Sequence, residues 1–270
     1  MSTDDHLLKL LRAHEHLDAL FAEIAWWSQS QPYRILSERD AESGLTILIA
    51  EPLGQAPLKL SVIAGDVVLN LRSCLDLLAL ALAESNHNGR LPEASEKKSQ
   101  FPICDTETLF ESACKRGRVE FVADDPSAVI QRLQPYHRGD EQAARHDPLA
   151  ILRDLSDFDK HRRLPLMAAF HQVVTADVLA EEWSVKELSL SFGGPLEART
   201  EVARYRGLAA ATGEEVEMDI RLSVNVAFAG ACPEAAAGRP LYPLLEEVWR
   251  YVAEEVIPQL KPYLRGAPAA

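Results

Sequence analysis

The run Val67-Val68-Leu69-Asn70-Leu71-Arg72-Ser73-Cys74-Leu75-Asp76-Leu77-Leu78 reads as a greasy helix with a few polar groups set into it. Arg72 and Asp76 are four apart, which puts them on one side of that helix at ion-pair spacing. Asp66, Asn70 and Ser73 form a neighbouring polar strip. Such groups in an apolar helix need hydrogen-bond partners. A second stretch, Asp157-Phe158-Asp159-Lys160-His161-Arg162-Arg163, gathers acid, imidazole and guanidinium groups at the end of a later helix. Two chemistries are open. In the structural one, Arg72 pairs with Asp76 and Asn70 bonds across to a neighbouring helix. Asp159, His161 and Arg162 then cap and neutralise a helix C-terminus. In the catalytic one, Arg72, Asp76 and His161 are the working groups. His161 carries a proton, and Arg162 or Arg72 clamps an oxyanion or phosphate. Asn70, Asp159 and Arg162 are the candidate binding residues. The catalytic version requires the two stretches to converge.

The elements that must position these groups follow from periodicity. Leu7, Leu10, Leu11, Leu17, Leu20, Phe21, Ile24 and Trp27 recur at helical spacing, so a first helix is expected over about 4–29, with Thr3 or Asp4 as its cap. Trp26 and Trp27 cannot both face inward, and one is a core or interface anchor. Residues 33–36 and 45–50 read as two strands around a Ser43-Gly44 turn. Pro57 opens the second helix, expected to reach about Ala83 and to be central rather than superficial. A polar loop follows to Gln100, and Phe101-Pro102-Ile103 returns the chain to the core. Asp105 or Thr106 caps a helix to about Lys115, and Pro126 begins another that Pro135 stops. Residues 137–146 read as a charged loop. Pro148 starts a helix whose inward stripe is Leu149, Leu152, Leu155 and Phe158.

Beyond residue 163 the pattern changes to strands. Leu164–Val174 comes first. Leu188, Leu190 and Phe192 then alternate with polar neighbours, followed by a Gly193-Gly194-Pro195 turn and a partner strand at 197–205. The clearest alternation is Val216, Met218, Ile220, Leu222, Val224, Val226 and Phe228, after a hairpin marked by Gly213. Together these predict an antiparallel sheet of about four strands. A last helix is expected over about 241–258, before a tail at 266–270 where order fades. The expected organisation is a mainly helical part at 1–163 with a small hairpin at 33–50. The part at 164–270 then holds the sheet and C-terminal helix, either separate from the first or continuous with it.

Composition narrows the classes. A chain of 270 residues with 47% hydrophobic residues can bury a real core, and a net charge of −13 disfavours non-specific DNA binding. Two local basic patches stand out against that charge: Lys160 to Arg163, and Lys115, Arg116 and Arg118. Cys74, Cys104, Cys114 and Cys232 are scattered without CxxC spacing, which suits a reducing compartment. The N-terminus carries acids where a signal peptide needs bases, and no apolar run reaches about 18 uncharged residues, so a cytoplasmic location and no membrane partner are expected. No HExxH, GxSxG, P-loop or GxGxxG is present. His14 and His16 point apart on their helix, and no cofactor or metal is expected.

The order Leu60-Ser61-Val62-Ile63-Ala64-Gly65-Asp66, Asn70 to Asp76, Phe101-Pro102-Ile103, Leu133-Gln134-Pro135-Tyr136 and Asp159-Lys160-His161-Arg162 resembles a family of uncharacterised bacterial proteins common in soil actinobacteria. That family supplies no activity to transfer. The central motif also resembles the HEPN superfamily of helical domains. That superfamily includes ribonucleases whose site is an arginine, a short spacer and a histidine on one helix. Arg72 matches the arginine. The matching histidine falls at 77–79, where this chain has Leu77, Leu78 and Ala79, and leucine neither moves a proton nor hydrogen-bonds to phosphate. The resemblance implies an α+β fold: a HEPN-like helical core with an added antiparallel sheet and a C-terminal helix. It implies a non-catalytic binding or regulatory module with a degenerate site. The alternatives are a metal-independent ribonuclease using Arg72, Asp76 and His161, and a structural or oligomerisation protein. An RNA or protein partner and a homodimer are the partner classes left open.

Overall fold

The computed structural model of the chain describes residues 4–87, 89–178, 183–191, 194–209 and 218–264. Helix α1 (Asp5–Gln29) buries the stripe Ala13, Leu17, Leu20, Ile24 and Trp27. Trp26, its neighbour, is 67% exposed. Asp4 sits at the N-cap, but its side chain makes no capping bond. Strands β1 (Tyr33–Arg39) and β2 (Thr46–Pro52) pair antiparallel from Tyr33↔Pro52 to Arg39↔Thr46. The long helix α2 (Leu58–His87) then runs back along α1. Lys59 bonds Glu23 near one end of the pair and Lys9 bonds Asn70 near the other, which fixes the antiparallel sense. Helix α2 outlasts its predicted end at Ala83 by one turn. The Ser85 hydroxyl donates to the Ala81 carbonyl there, a bond that lets a polar residue stay helical.

Short elements follow α2 along the chain. These are α3 (Glu93–Glu96), α4 (Glu107–Lys115), α5 (Asp124–Arg132), a 3-10 turn at Pro135–Arg138, α6 (Glu141–Arg145) and α7 (Pro148–Asp159). Thr106, Asp140 and Asp147 cap α4, α6 and α7 by accepting from Leu109, Ala143 and Leu149 amides. Two predicted loops are therefore wrong in part. Residues 137–146 carry the 3-10 turn and α6, because Asp140 caps a helix in a stretch whose charges hide any apolar stripe. The loop before Gln100 contains α3.

The strands form two sheets. One has the order β1-β2-β6-β4, with β4 Trp183–Leu190 and β6 Thr200–Ala209. The other has the order β5-β3-β7, with β3 Leu166–Val178, β5 Gly194–Pro195 and β7 Met218–Phe228. A four-strand antiparallel sheet is present, but the four strands predicted beyond residue 163 divide between the two sheets: β4 and β6 join the N-terminal hairpin through the pairing of β2 with β6, while β3 and β7 pair in the other. The Tyr33 hydroxyl joins the sheets by accepting from Leu222 N at 2.9 Å. Ile220, Leu222, Val224, Val226 and Phe228 alternate inward on β7 as their spacing predicts. Thr3, Phe192, Gly193, Gly213, Val216 and residues 266–270 lie outside the described residues.

The C-terminal helix serves both layers. Helix α8 (Leu241–Tyr251) packs on α1, α2, α7 and β7. It widens into a π turn at Val252–Val256 before α9 (Ile257–Leu260). Pro258 has no amide for the carbonyl of Glu254, and the widened turn absorbs that missing bond. The result is a mixed α+β fold with α2 at its helical centre. No helix among the described residues is long and apolar enough to cross a membrane.

Candidate functional site

The polar side of α2 meets the segment Phe101–Cys104, which belongs to no helix or strand. Its residues are buried, so its backbone groups must be satisfied by something. Side chains do this. Arg72 Nη2 donates to Asp76 Oδ1 at 2.6 Å and to the Phe101 carbonyl at 2.7 Å. The Phe101 amide donates to the same Asp76 oxygen at 3.0 Å. One turn of chain further on, Gln134 completes the clamp. Its Oε1 accepts from the Cys104 amide, and its Nε2 donates to the Pro102 and Ile130 carbonyls, each at 2.9 Å.

The pair is inside but not sealed. The Arg72 side chain is 14% exposed and that of Asp76 30%. Burial pushes the Asp76 carboxyl above its ordinary range, against the pull of Arg72, the Phe101 amide and Arg118. Cys74, one residue past Ser73 and facing the core, is pushed up to about 12 by burial, so it is an inert thiol.

Arg72 and Asp76 line a cleft of about 720 Å³. Leu69, Ile103 and Leu109 give it apolar walls, and Arg116, Arg118, Arg153 and Lys160 bring cations to it. Arg153 is held by Asp105 at 2.7 Å and Asp154 at 2.8 Å. Lys160 is held by Asp157 at 2.9 Å. Burial raises the Asp154 carboxyl, and its acidic neighbours Asp105 and Asp157 add to that while Arg153 opposes it.

The turn after α4 sets two of these cations. Gly117 has φ +87°, the Gly117 amide donates to the Cys114 carbonyl, and the Arg118 amide donates to the Ala113 carbonyl. This is a helix-ending Schellman turn that only glycine closes without strain, and Arg116 and Arg118 flank it.

The residues singled out from the sequence separate into three places. Arg72 and Asp76 are in the cleft, paired as their spacing predicts. Asn70 faces α1: its Oδ1 accepts from Lys9 Nζ at 3.2 Å, and its Nδ2 donates to the Asp66 carbonyl at 2.8 Å. Asp159 lies over Gly65 of α2, so close that a Cβ there would sit 2.7 Å from its Oδ2. Burial raises the Asp159 carboxyl, and Asp66 nearby adds to the shift. His161 and Arg162 are exposed, and neither lines the cleft. The chain leaves α7 toward solvent at Lys160 and returns inward only at Leu164. The two stretches thus meet through Asp157, Asp159 and Lys160, not through the imidazole. Of the three positions 77–79, Leu77 is partly buried and packs against the core, and Leu78 and Ala79 are fully buried.

The roles of Gln134 and Arg153 were not read from the sequence, because Pro102, Cys104 and Asp105 come beside them only in the fold. Arg116 and Arg118 were visible only as a basic patch. Among the described residues no group of three or more His, Cys, Asp or Glu side chains is placed to hold a metal ion. No family model matches the chain, and neither a curated protein nor a solved structure matches it.

Proposed function

We propose that this protein is a non-catalytic binding module. Its HEPN-like arginine motif has been turned to holding the backbone, and the adjoining cleft is its binding surface. The observation that carries this reading is the engagement of Arg72 Nη2 by both Asp76 and the Phe101 carbonyl. A catalytic arginine must meet charge that develops on substrate, and this guanidinium edge is already spent on its own chain. The leucine at Leu77 and the exposed position of His161 away from the cleft lining point the same way. The HEPN-like kinship of the helical core, a bacterial source and a cytoplasmic setting are parts of the same proposal. The four free cysteines suit a reducing compartment. The test is incubation of the purified chain with single-stranded RNA in the presence of EDTA. The expected result is intact RNA at long times. Cleavage that disappears in a folded Arg72→Gln variant would overturn the reading in favour of a metal-independent ribonuclease.

A further inference from the structure

We infer that the cleft takes a phosphomonoester bearing a short apolar or aromatic group, gripped by Arg116 and Arg118 and seated against Leu69 and Leu109. This rests on the binding-module reading and adds a ligand class to it.

The first observation is charge. The chain as a whole carries −13, yet five cations line this cleft against four carboxylates. The second is pairing. Arg72, Arg153 and Lys160 each hold a carboxylate. Arg116 and Arg118 have none within ion-pair distance among the described residues. Arg118 is half-buried and close enough to the floor to act on both Asp76 and Cys104. A half-buried guanidinium that makes no direct ion pair keeps its donors available to an anion.

The third observation is placement. The Schellman turn and the bond from the Gln100 amide to the Arg118 carbonyl hold the backbone under both arginines. Two guanidinium forks match the charge of about −1.5 to −2 on a phosphomonoester at neutral pH better than the single charge of a carboxylate. The fourth is the rim. Leu69 is 55% exposed and Leu109 48%, apolar surface at the mouth of a polar cleft. Ligand sites commonly combine such a wall with a few convergent polar groups.

The test is calorimetric titration of the full chain with phenyl phosphate and, separately, with inorganic phosphate. Saturable binding of phenyl phosphate, tighter than that of inorganic phosphate, is expected. Arg118→Gln should weaken it about tenfold or more, Arg116→Gln should weaken it as well, and Arg118→Lys should restore part of the loss. Arg132→Gln, on the exposed end of α5, should leave it unchanged. No saturable binding of phenyl phosphate, or binding untouched by Arg118→Gln in a folded variant, would overturn the inference. Equal affinity for inorganic phosphate would overturn its apolar half. None of these outcomes is RNA cleavage, so the ligand class can fail while the non-catalytic reading stands, and the reverse.

Discussion

Replacing Gln134 with leucine removes the amide that serves three backbone groups and keeps nearly the same volume. Gln134 is 0% exposed. In the variant the Cys104 amide and the Pro102 carbonyl lose their partners, in a place where a replacing water must displace packed side chains. Each orphaned buried group costs about 1–3 kcal/mol, so the two together cost about 2–6 kcal/mol. Urea unfolding reads this directly. For a slope of about 3 kcal/mol per M, the midpoint should fall by about 1 M with the slope unchanged. Gln134→Glu is a sharper companion. It keeps an acceptor for Cys104 but turns a second oxygen toward two carbonyls. That variant should be destabilised at neutral pH and recover on acidification, as the introduced carboxyl takes up a proton and becomes a donor. A Gln134→Leu midpoint within about 0.2 M of the wild type would refute the view that this side chain holds Phe101–Cys104 in place.

Arg72→Ala and Asp76→Ala should each destabilise the fold by about 2–3 kcal/mol, the buried-pair cost reduced for partial exposure. The double variant should cost about 1 kcal/mol or more less than the sum, measured as a double-mutant cycle in urea. Asp159 has a folded-state pKa above its ordinary 3.8, caused by burial and then by Asp66. Its ionisation therefore opposes folding: the contribution is fully favourable below 3.8 and is lost as pH rises through the raised folded value. Asp159→Asn should flatten that dependence, gaining stability relative to the wild type at neutral pH but not below the ordinary value of 3.8, by thermal melts across pH. Gly117→Ala meets both a φ of +87° and the Glu120 carboxylate 3.1 Å from the new Cβ. It should cost about 1–2 kcal/mol in thermal or urea unfolding.

Local signals in the sequence translated well into local structure. The second half of the α1 stripe (Leu17, Leu20, Ile24 and Trp27), the capping residue Thr106, the proline that opens α7 and the alternation of β7 all rest on side chains a few residues apart, whereas Leu7, Leu11 and Phe21, read into the same stripe, are exposed. The i,i+4 placement of Arg72 and Asp76 is of the same kind, and the pair forms. What failed was non-local. Nothing in residues 33–52 announces that β2 will pair with β6, some 150 positions away by its register of Leu48 with Ala203. The hairpin alone would be marginal, so a partner sheet was needed without being identifiable. The cleft was hidden for the same reason. Gln134 stood only as the residue before the stopping Pro135, and Arg153 had no role at all, until Cys104 and Asp105 came beside them. Helix α6 was missed because a five-residue helix with one buried residue has no stripe to detect.

The claim at the centre of this account is that the arginine and aspartate of α2 serve the backbone of Phe101–Cys104. Amide hydrogen exchange at Phe101 tests it most directly, because that amide donates to the Asp76 side chain, Oδ1 at 3.0 Å, and lies outside every helix and strand. The account predicts slow exchange in the native protein and an acceleration of about tenfold or more in Asp76→Ala, beyond any change in the core amides of α2. Fast exchange at Phe101 in the wild type, or a rate that Asp76→Ala leaves unchanged relative to the α2 core, would contradict it.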